Sequence, residues 1–338
     1  MNQARFDQVI ALAPHFKERF PWIGRDLQTL RSSLLSPAKD LPLKARLLFK
    51  MRDGDTLTAR LDEPPTPTHR PLIVLIHGLT GSENSANIIA SAHFLIQQGW
   101  RVLRLNLRGS APTRPLACGH YHAGKTEDLV DALRDLPAEL SRDGIILIGH
   151  SLGGNLILKF LGESQDYTNI FCGIAVSSPL NLSKTCVQMM KKRNAIYQRH
   201  ILTAMKQEAL GKGANLTDTQ RSAIVNSHTL YDFDNNFIAP LFGYRDAAHY
   251  YESNSSENFL KNITRPTLII HALDDPWIPS ASYLEKEWKE YPNIETAISQ
   301  KGGHMGFHGK GNLVAWHNRF TAQWLEGRQN IDFLKTPN

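Results

Sequence analysis

The stretch GIILIGHSLGGNLILKF, from Gly144 to Phe160, constrains the fold more than any other part of the chain. An apolar run of strand character, GIILIG, passes directly into LGGNLILKFLG, whose apolar residues recur at helical spacing. The junction is Gly149-His150-Ser151-Leu152-Gly153. A strand that turns into a helix this sharply brings the residues two before and two after the turn close together. Side chains there would clash, and glycine at 149 and 153 removes the clash, while Gly154 lets the new helix pack tightly. The turn strains the backbone of Ser151 and lifts its hydroxyl above the sheet edge. Gly-x-Ser-x-Gly alone matches by chance in roughly one chain in ten of this length. Its place between strand and helix makes it a candidate nucleophile turn; the plainer reading is a glycine-rich turn with an idle serine.

The same alternation runs through the chain. LIVLIH (Leu72 to His77), RVLRLNL (Arg101 to Leu107), GIILIG (Gly144 to Gly149), FCGIAVSSP (Phe171 to Pro179), PTLIIHA (Pro266 to Ala272) and NIETAIS (Asn293 to Ser299) read as strands. Helical patterns lie between them: Asn84 to Gln98, a stretch from Lys125, SASYLEKEWKE, and a closing helix over Asn312 to Glu326. Apolar strands alternating with amphipathic helices predict an α/β fold, with a mostly parallel sheet and helices on both faces. Upstream, KARLLFKMRDGDTLTARLDE predicts a hairpin around Asp53-Gly54, PPTPTHRP an exposed connector, and the first forty residues an outer wrapping. Residues 1–338 read as one domain. Within it, 181–261 carries helical patterns and no strand, so it reads as a helical insertion capping the site. Its basic first half, KTCVQMMKKRNAIYQRHILTAMK, is either a solvated helix face or a surface for acidic lipid headgroups or an anionic substrate.

Composition narrows the class. The 338 residues are 41% hydrophobic and carry a net charge of +6, enough apolar residues for a sizeable core and too little charge for a nucleic-acid binder. Three scattered cysteines, Cys118, Cys172 and Cys186, with no CxxC, fit a reducing, cytoplasmic setting, Cys172 being a buried apolar side chain. The N-terminal stretch MNQARFDQVIALAPHF does not read as a signal peptide. No apolar run approaches the roughly 18 residues of a membrane span, although an amphipathic N-terminal segment could touch a membrane surface. The sequence leaves the oligomeric state open.

In an open parallel sheet, ligands bind beyond the carboxyl ends of the strands. A serine hydroxyl there needs a base, and the acid and histidine are expected after later strands. LIIHALDDPWIP supplies Asp274 and Asp275, and KGGHMGFHG supplies His304 and His308. The spacing from Ala272 favours Asp275 as the acid, leaving Asp274 as a turn or N-cap residue. His304, nearest the strand end and flanked by glycines, is favoured as the base over His308. An oxyanion formed by attack needs preset N–H donors. Leu152, following the serine, is one; the turn His77-Gly78-Leu79-Thr80-Gly81 supplies the other, Leu79 or else Thr80. CGHYHAG (His120, His122) invites zinc, but no second ligand pair exists, so packing or a place at the pocket rim is the expectation. Asn106-Leu107-Arg108-Gly109 should shape the site, with Arg108 in a salt bridge.

HGLTG, NLRGS with YHAGKTEDL, GHSLGGN, YDFDNNFIAPLFGYRDAAHYY, ALDDPWIP and GGHMGF occur here in the order seen in the YheT-like branch of the α/β-hydrolase superfamily, which the chain resembles from LQTL (Leu27 to Leu30) almost to its end. The resemblance implies a sheet of about eight strands, a Ser151–Asp275–His304 triad and carboxylic-ester hydrolysis on a small-molecule or lipid-like ester. The chain departs from the pattern at Ala123 and Lys125, where the family often has serine and glutamate, and in SAPTRPLACGH. The expected chemistry is attack by Ser151 on a short- to medium-chain acyl or lipid-like ester, needing neither metal nor cofactor, with Met189, Met190, Tyr197 and Phe237 placed to line an acyl pocket or to pack the insertion. The alternatives are acyl transfer by the same residues, or a catalytically silent binding protein.

Overall fold

Runs of four to seven residues rich in Val, Ile and Leu form the strands: β1 (Ala45–Lys50), β2 (Thr56–Asp62), β3 (Leu72–Ile76), β4 (Val102–Leu105), β5 (Ile145–His150), β6 (Ile170–Val176), β7 (Thr267–Ala272) and β8 (Ile294–Ser299). The computed structural model describes residues 16–35, 40–66, 68–163 and 169–332, with side chains through Arg328. The amphipathic reading of the N-terminal stretch falls mostly on residues 1–15, outside those described. The strands make one eight-stranded sheet in the order β1-β2-β4-β3-β5-β6-β7-β8. β1 pairs antiparallel with β2, joined through the Asp53-Gly54 turn where Gly54 takes a φ of 94°, and β2 pairs antiparallel with β4. The other pairings are parallel.

Every residue of β3, β5 and β7 is buried, because helices cover both faces of the parallel part. Successive residues of β3 alternate between two apolar cores. Leu72, Val74 and Ile76 join Phe49, Leu147 and Phe160 on one face, while Ile73 and Leu75 join Trp100, Ile146 and Trp316 on the other. The covering helices include α1 (Arg25–Leu34), α2 (Ala86–Gln97), α3 (Thr126–Arg134) and α4 (Leu152–Glu163). Between β6 and β7 come α5 (Leu182–Met189), α6 (Ala195–Ala209), α7 (Asp218–Asn226) and α8 (Ala247–Asn254), and a closing α9 (Trp316–Asp332) follows β8. Among the described residues between β6 and β7 there is no strand. That segment builds its own apolar cluster from residues such as Ile201, Met205, Phe233 and Phe237, and the cluster takes in Leu152 beside the serine. The helical insertion therefore sits on the Ser151 turn.

Two helical expectations shift. SASYLEKEWKE forms only Ala281–Leu284 and a single turn at Trp288–Glu290. Tyr283 and Trp288, five residues apart, would diverge by about 140° on one continuous helix. Breaking the helix lets both pack on the same core and lets Trp288 Nε1–H donate to the Tyr283 carbonyl at 3.0 Å. The closing helix starts at Trp316 because the Asn312 carboxamide accepts Val314 N–H at 2.8 Å and holds a turn there.

The sheet also carries a buried cation. Arg104 on β4 is fully buried, donates to Asp62 at 2.7 Å and to the Glu83 carbonyl at 2.9 Å, and meets Asp40 at 3.0 Å. Removing one partner of such a group leaves an uncompensated charge. We expect Arg104→Met to lower unfolding free energy by about 3 kcal/mol in urea titration, the low end of the usual cost, because Arg60 still donates to Asp62 at 3.0 Å.

Candidate active site

The turn between β5 and α4 has the geometry that its glycines require. Ser151 adopts a φ of 52°, and its N–H is held by the Val176 carbonyl at 2.8 Å. A Cβ on Gly149 would lie 2.2 Å from the Gly153 carbonyl oxygen, and one on Gly153 would lie 2.6 Å from the carbonyl oxygens of Ile76 and His77. Glycine at 149 is thus demanded by its approach to Gly153, and glycine at 153 by the end of β3.

His304 follows β8 in a loop where Gly303, Met305 and Phe307 all take positive φ. Its Nε2 lies 3.1 Å from Ser151 Oγ, and its Nδ1 lies 2.8 Å from Asp275 Oδ2. Asp275 Oδ1 accepts the N–H groups of Trp277 at 2.8 Å and Ile278 at 3.1 Å. Burial alone would raise the Asp275 pKa, but attraction and hydrogen bonding from His304 and its neighbours leave it below the usual carboxylate range, so it stays ionised. The Trp277 ring stacks on the His304 imidazole at 4.2 Å between centroids. Ser151, Asp275 and His304 are brought together, and both ring nitrogens of His308 are buried without a hydrogen-bond partner among the described residues.

Asp274 lies in the turn that follows β7, as expected, and its Oδ1 also accepts Gly303 N–H at 2.9 Å and so ties the β7 end to the histidine loop. Helix α1 braces the same loop. Thr29 Oγ1 accepts His304 N–H at 2.9 Å, and buried Gln28 accepts His308 N–H at 2.7 Å. A Cβ on Gly303 would press against Arg25 O at 2.5 Å. These braces had no local mark in the sequence, since Thr29 and His304 lie 275 residues apart; only LQTL in the family pattern hinted at them.

At the β3 end, His77 accepts Leu107 N–H on Nε2 at 3.0 Å and donates from Nδ1 to the Gly78 carbonyl at 2.8 Å. Burial pushes its pKa down to about 4, so it stays neutral and holds the turn. Thr80 N–H is already committed to the Tyr121 hydroxyl at 2.8 Å, which in turn donates to Glu208 of α6 at 3.1 Å. Leu79 N–H and Leu152 N–H have no acceptor among the described residues, and both residues face the cavity at Ser151. Of the two candidates in the turn, Leu79 is therefore the one left to donate.

A cavity of about 770 Å³ opens over the serine. Leu182, Met189, Ile201, Met205, Phe233 and Phe237 supply much of its apolar wall. Tyr197 also lines it, whereas Met190 lies outside it and is exposed on the surface. His120 packs edge-on against Phe237 at 5.3 Å, His122 lies tilted against Phe242 at 4.4 Å, and no metal-binding group of side chains occurs among the described residues. Arg108 forms the expected salt bridge, doubly bonded to Asp128 at 2.7 and 2.9 Å. Within the insertion's share of the wall, two carboxyl groups, Glu208 and Asp234, interrupt the apolar lining. Burial pushes both Glu208 and Asp234 up to about 7, and Tyr251 donates its hydroxyl to Asp234 at 2.7 Å. Asp234 begins a π-helical turn, Asp234–Ile238.

This sheet, with a serine, an imidazole and a carboxylate in hydrogen-bond series above its carboxyl edge, has the form of an α/β hydrolase. The chain belongs to that family: residues 71–310 match the family described as alpha/beta hydrolase fold. It is 31% identical over 307 residues to YheT of Escherichia coli K12, covering 89% of this chain and 88% of that protein. The human phospholipase ABHD3 is 27% identical, with 85% and 71% covered, and a monoacylglycerol lipase of Saccharomyces cerevisiae is 28% identical, with 76% and 59% covered. Among solved structures, the Pyrococcus furiosus esterase Pf2001 superposes with a TM-score of 0.55 at 18% identity, over 87% of this chain and 97% of that one, which shows the shared fold.

The raised carboxyl at Asp234 gives a signed pH effect. A carboxyl whose folded pKa lies above its unfolded value stabilises fully below the unfolded value near 4 and loses that contribution as pH rises towards 7. We expect Asp234→Asn, which can still accept from Tyr251, to gain melting temperature relative to wild type on going from pH 5 to pH 8, read by calorimetry at both pH values.

Proposed function

We propose that this carboxylic-ester hydrolase is a serine esterase that works through an acyl-enzyme on Ser151. The observation that carries the reading is the unbroken series Ser151 Oγ–His304 Nε2 at 3.1 Å and His304 Nδ1–Asp275 Oδ2 at 2.8 Å. His304 takes the serine proton as Oγ attacks the ester carbonyl, and ionised Asp275 steadies the imidazolium. Leu79 N–H and Leu152 N–H receive the oxyanion. Collapse expels the alcohol with the proton from His304. Water, deprotonated by the same histidine, attacks the acyl-enzyme; the acid leaves and Ser151 regains its proton. Side chains and water carry every proton.

The insertion 181–261 serves as the cap, and its apolar wall suits the acyl chain of a short- to medium-chain or lipid-like ester. The cavity's volume lies within the range of small-molecule sites. The Tyr121–Glu208 link acts on the turn rather than on the ester, holding Thr80 so that Leu79 N–H stays aimed at the oxyanion.

A fluorophosphonate probe should label wild type but not Ser151→Ala, and His304→Ala should abolish p-nitrophenyl ester turnover while keeping the native circular dichroism. Asp275→Asn should cost about 10⁴ in kcat. Labelling of Ser151→Ala, or near-normal turnover by His304→Ala, would remove the triad from the mechanism. Tyr121→Phe, which strips Thr80 N–H of its acceptor, should lower kcat about tenfold with KM little changed, as for a weakened oxyanion contact.

A further inference from the structure

We propose that the face around the cavity mouth, built from the outer side of α1 and residues 187–200 of the insertion, docks on an anionic lipid bilayer. The docking stands on this surface alone; only the delivery of an ester from the bilayer to Ser151 rests on the reading above.

The two parts of the face are fastened side by side. Arg193 grips Asp26 of α1 through both carboxylate oxygens at 2.6 and 2.8 Å, and the Tyr197 hydroxyl donates to the same carboxylate at 2.9 Å. Both parts also line the mouth: Asp26, Leu30 and Ser33 from α1, and Arg193, Ile196 and Tyr197 from the insertion.

Around that seam large apolar side chains point to solvent. Ile196 is 85% exposed and Val187 55%, and Leu27 of α1 and Met190 are exposed as well. In a soluble setting such a concentration is costly, and apolar patches rimmed by polar groups mark interaction sites. Leu27 and Leu34 are two turns apart on α1, beside the row Asp26, Leu30 and Ser33 that faces the mouth.

Charge selects the partner. From Lys184 to Lys206 there are four lysines and two arginines and no acidic residue. Lys192 and Arg199 have no acidic partner among the described residues, and Arg25 adds a further exposed cation on α1. Apolar side chains interleaved with unpaired cations around an opening into an apolar cavity fit the headgroup region of an anionic bilayer, where the chains enter the acyl boundary and the cations meet the headgroups. An ester lying in that layer would reach the cavity without crossing water.

The test uses full-length Ser151→Ala protein, so that binding is read without turnover, in sedimentation with phosphatidylcholine vesicles with or without about 30% phosphatidylglycerol. Binding should be about tenfold stronger to the anionic vesicles and should weaken with salt. Lys192→Glu with Arg199→Glu, and separately Val187→Asp, each placed in the same background, should lower it about tenfold. The same substitutions made with Ser151 intact should retain hydrolysis of soluble p-nitrophenyl acetate, which also reports folding. Absence of binding to anionic vesicles, or equal binding by wild-type surface and both variants, overturns the proposal. So does capture of polyglutamate by the same face without vesicle binding, which would assign it to an acidic protein. Each result stands whether or not Ser151 proves to be the nucleophile.

Discussion

The backbone of Gly149 passes so near that of Gly153 that no side chain fits between them, and the remaining architecture is arranged around this contact. It forces β5 to end abruptly, sets α4 tight against β3, and leaves Ser151 at a positive φ with its hydroxyl beyond the sheet edge. Parallel strands on either side then deliver their own carboxyl ends to the same edge. The acid after β7, the imidazole after β8 and the turn after β3 arrive there because the strand order leaves them nowhere else to emerge.

Bringing groups to one edge does not hold them in register. The histidine loop, with two non-glycine residues, Met305 and Phe307, in sparsely populated backbone conformations, is kept in place by contacts from outside itself: Thr29 and Gln28 on α1, Asp274 at the end of β7, and the Trp277 ring against the imidazole. Strained backbone of this kind persists only where surrounding structure over-determines it. The turn after β3 is held in the same manner by neutral His77 on one side and Tyr121 on the other. Since Glu208 belongs to the insertion, the hydrogen bond it accepts from Tyr121 joins that layer directly to the turn beside the serine.

The insertion adds a third apolar cluster that the sheet does not need for its own two cores. Much of it faces the cavity, and it meets α1 across the Asp26–Arg193–Tyr197 contacts. One short segment near the amino end therefore touches both the loop carrying His304 and the outer layer.

Local chemistry alone determined the strand–turn–helix at Ser151, the alternation behind the parallel sheet, and the choice of Asp275 and His304, because each depends on residues within a few positions of one another. It also marked 181–261 as helical. Tertiary structure alone decided which of Leu79 and Thr80 keeps a free N–H, that the Asp274 side chain reaches from its turn to tie down the histidine loop, that Met190 turns outward while Met189 turns in, and that SASYLEKEWKE breaks to let Tyr283 and Trp288 share a core. Those outcomes depend on partners as distant as Tyr121 and Thr29. Periodicity records which face of an element is apolar, but it holds no record of which remote atom completes a hydrogen bond there.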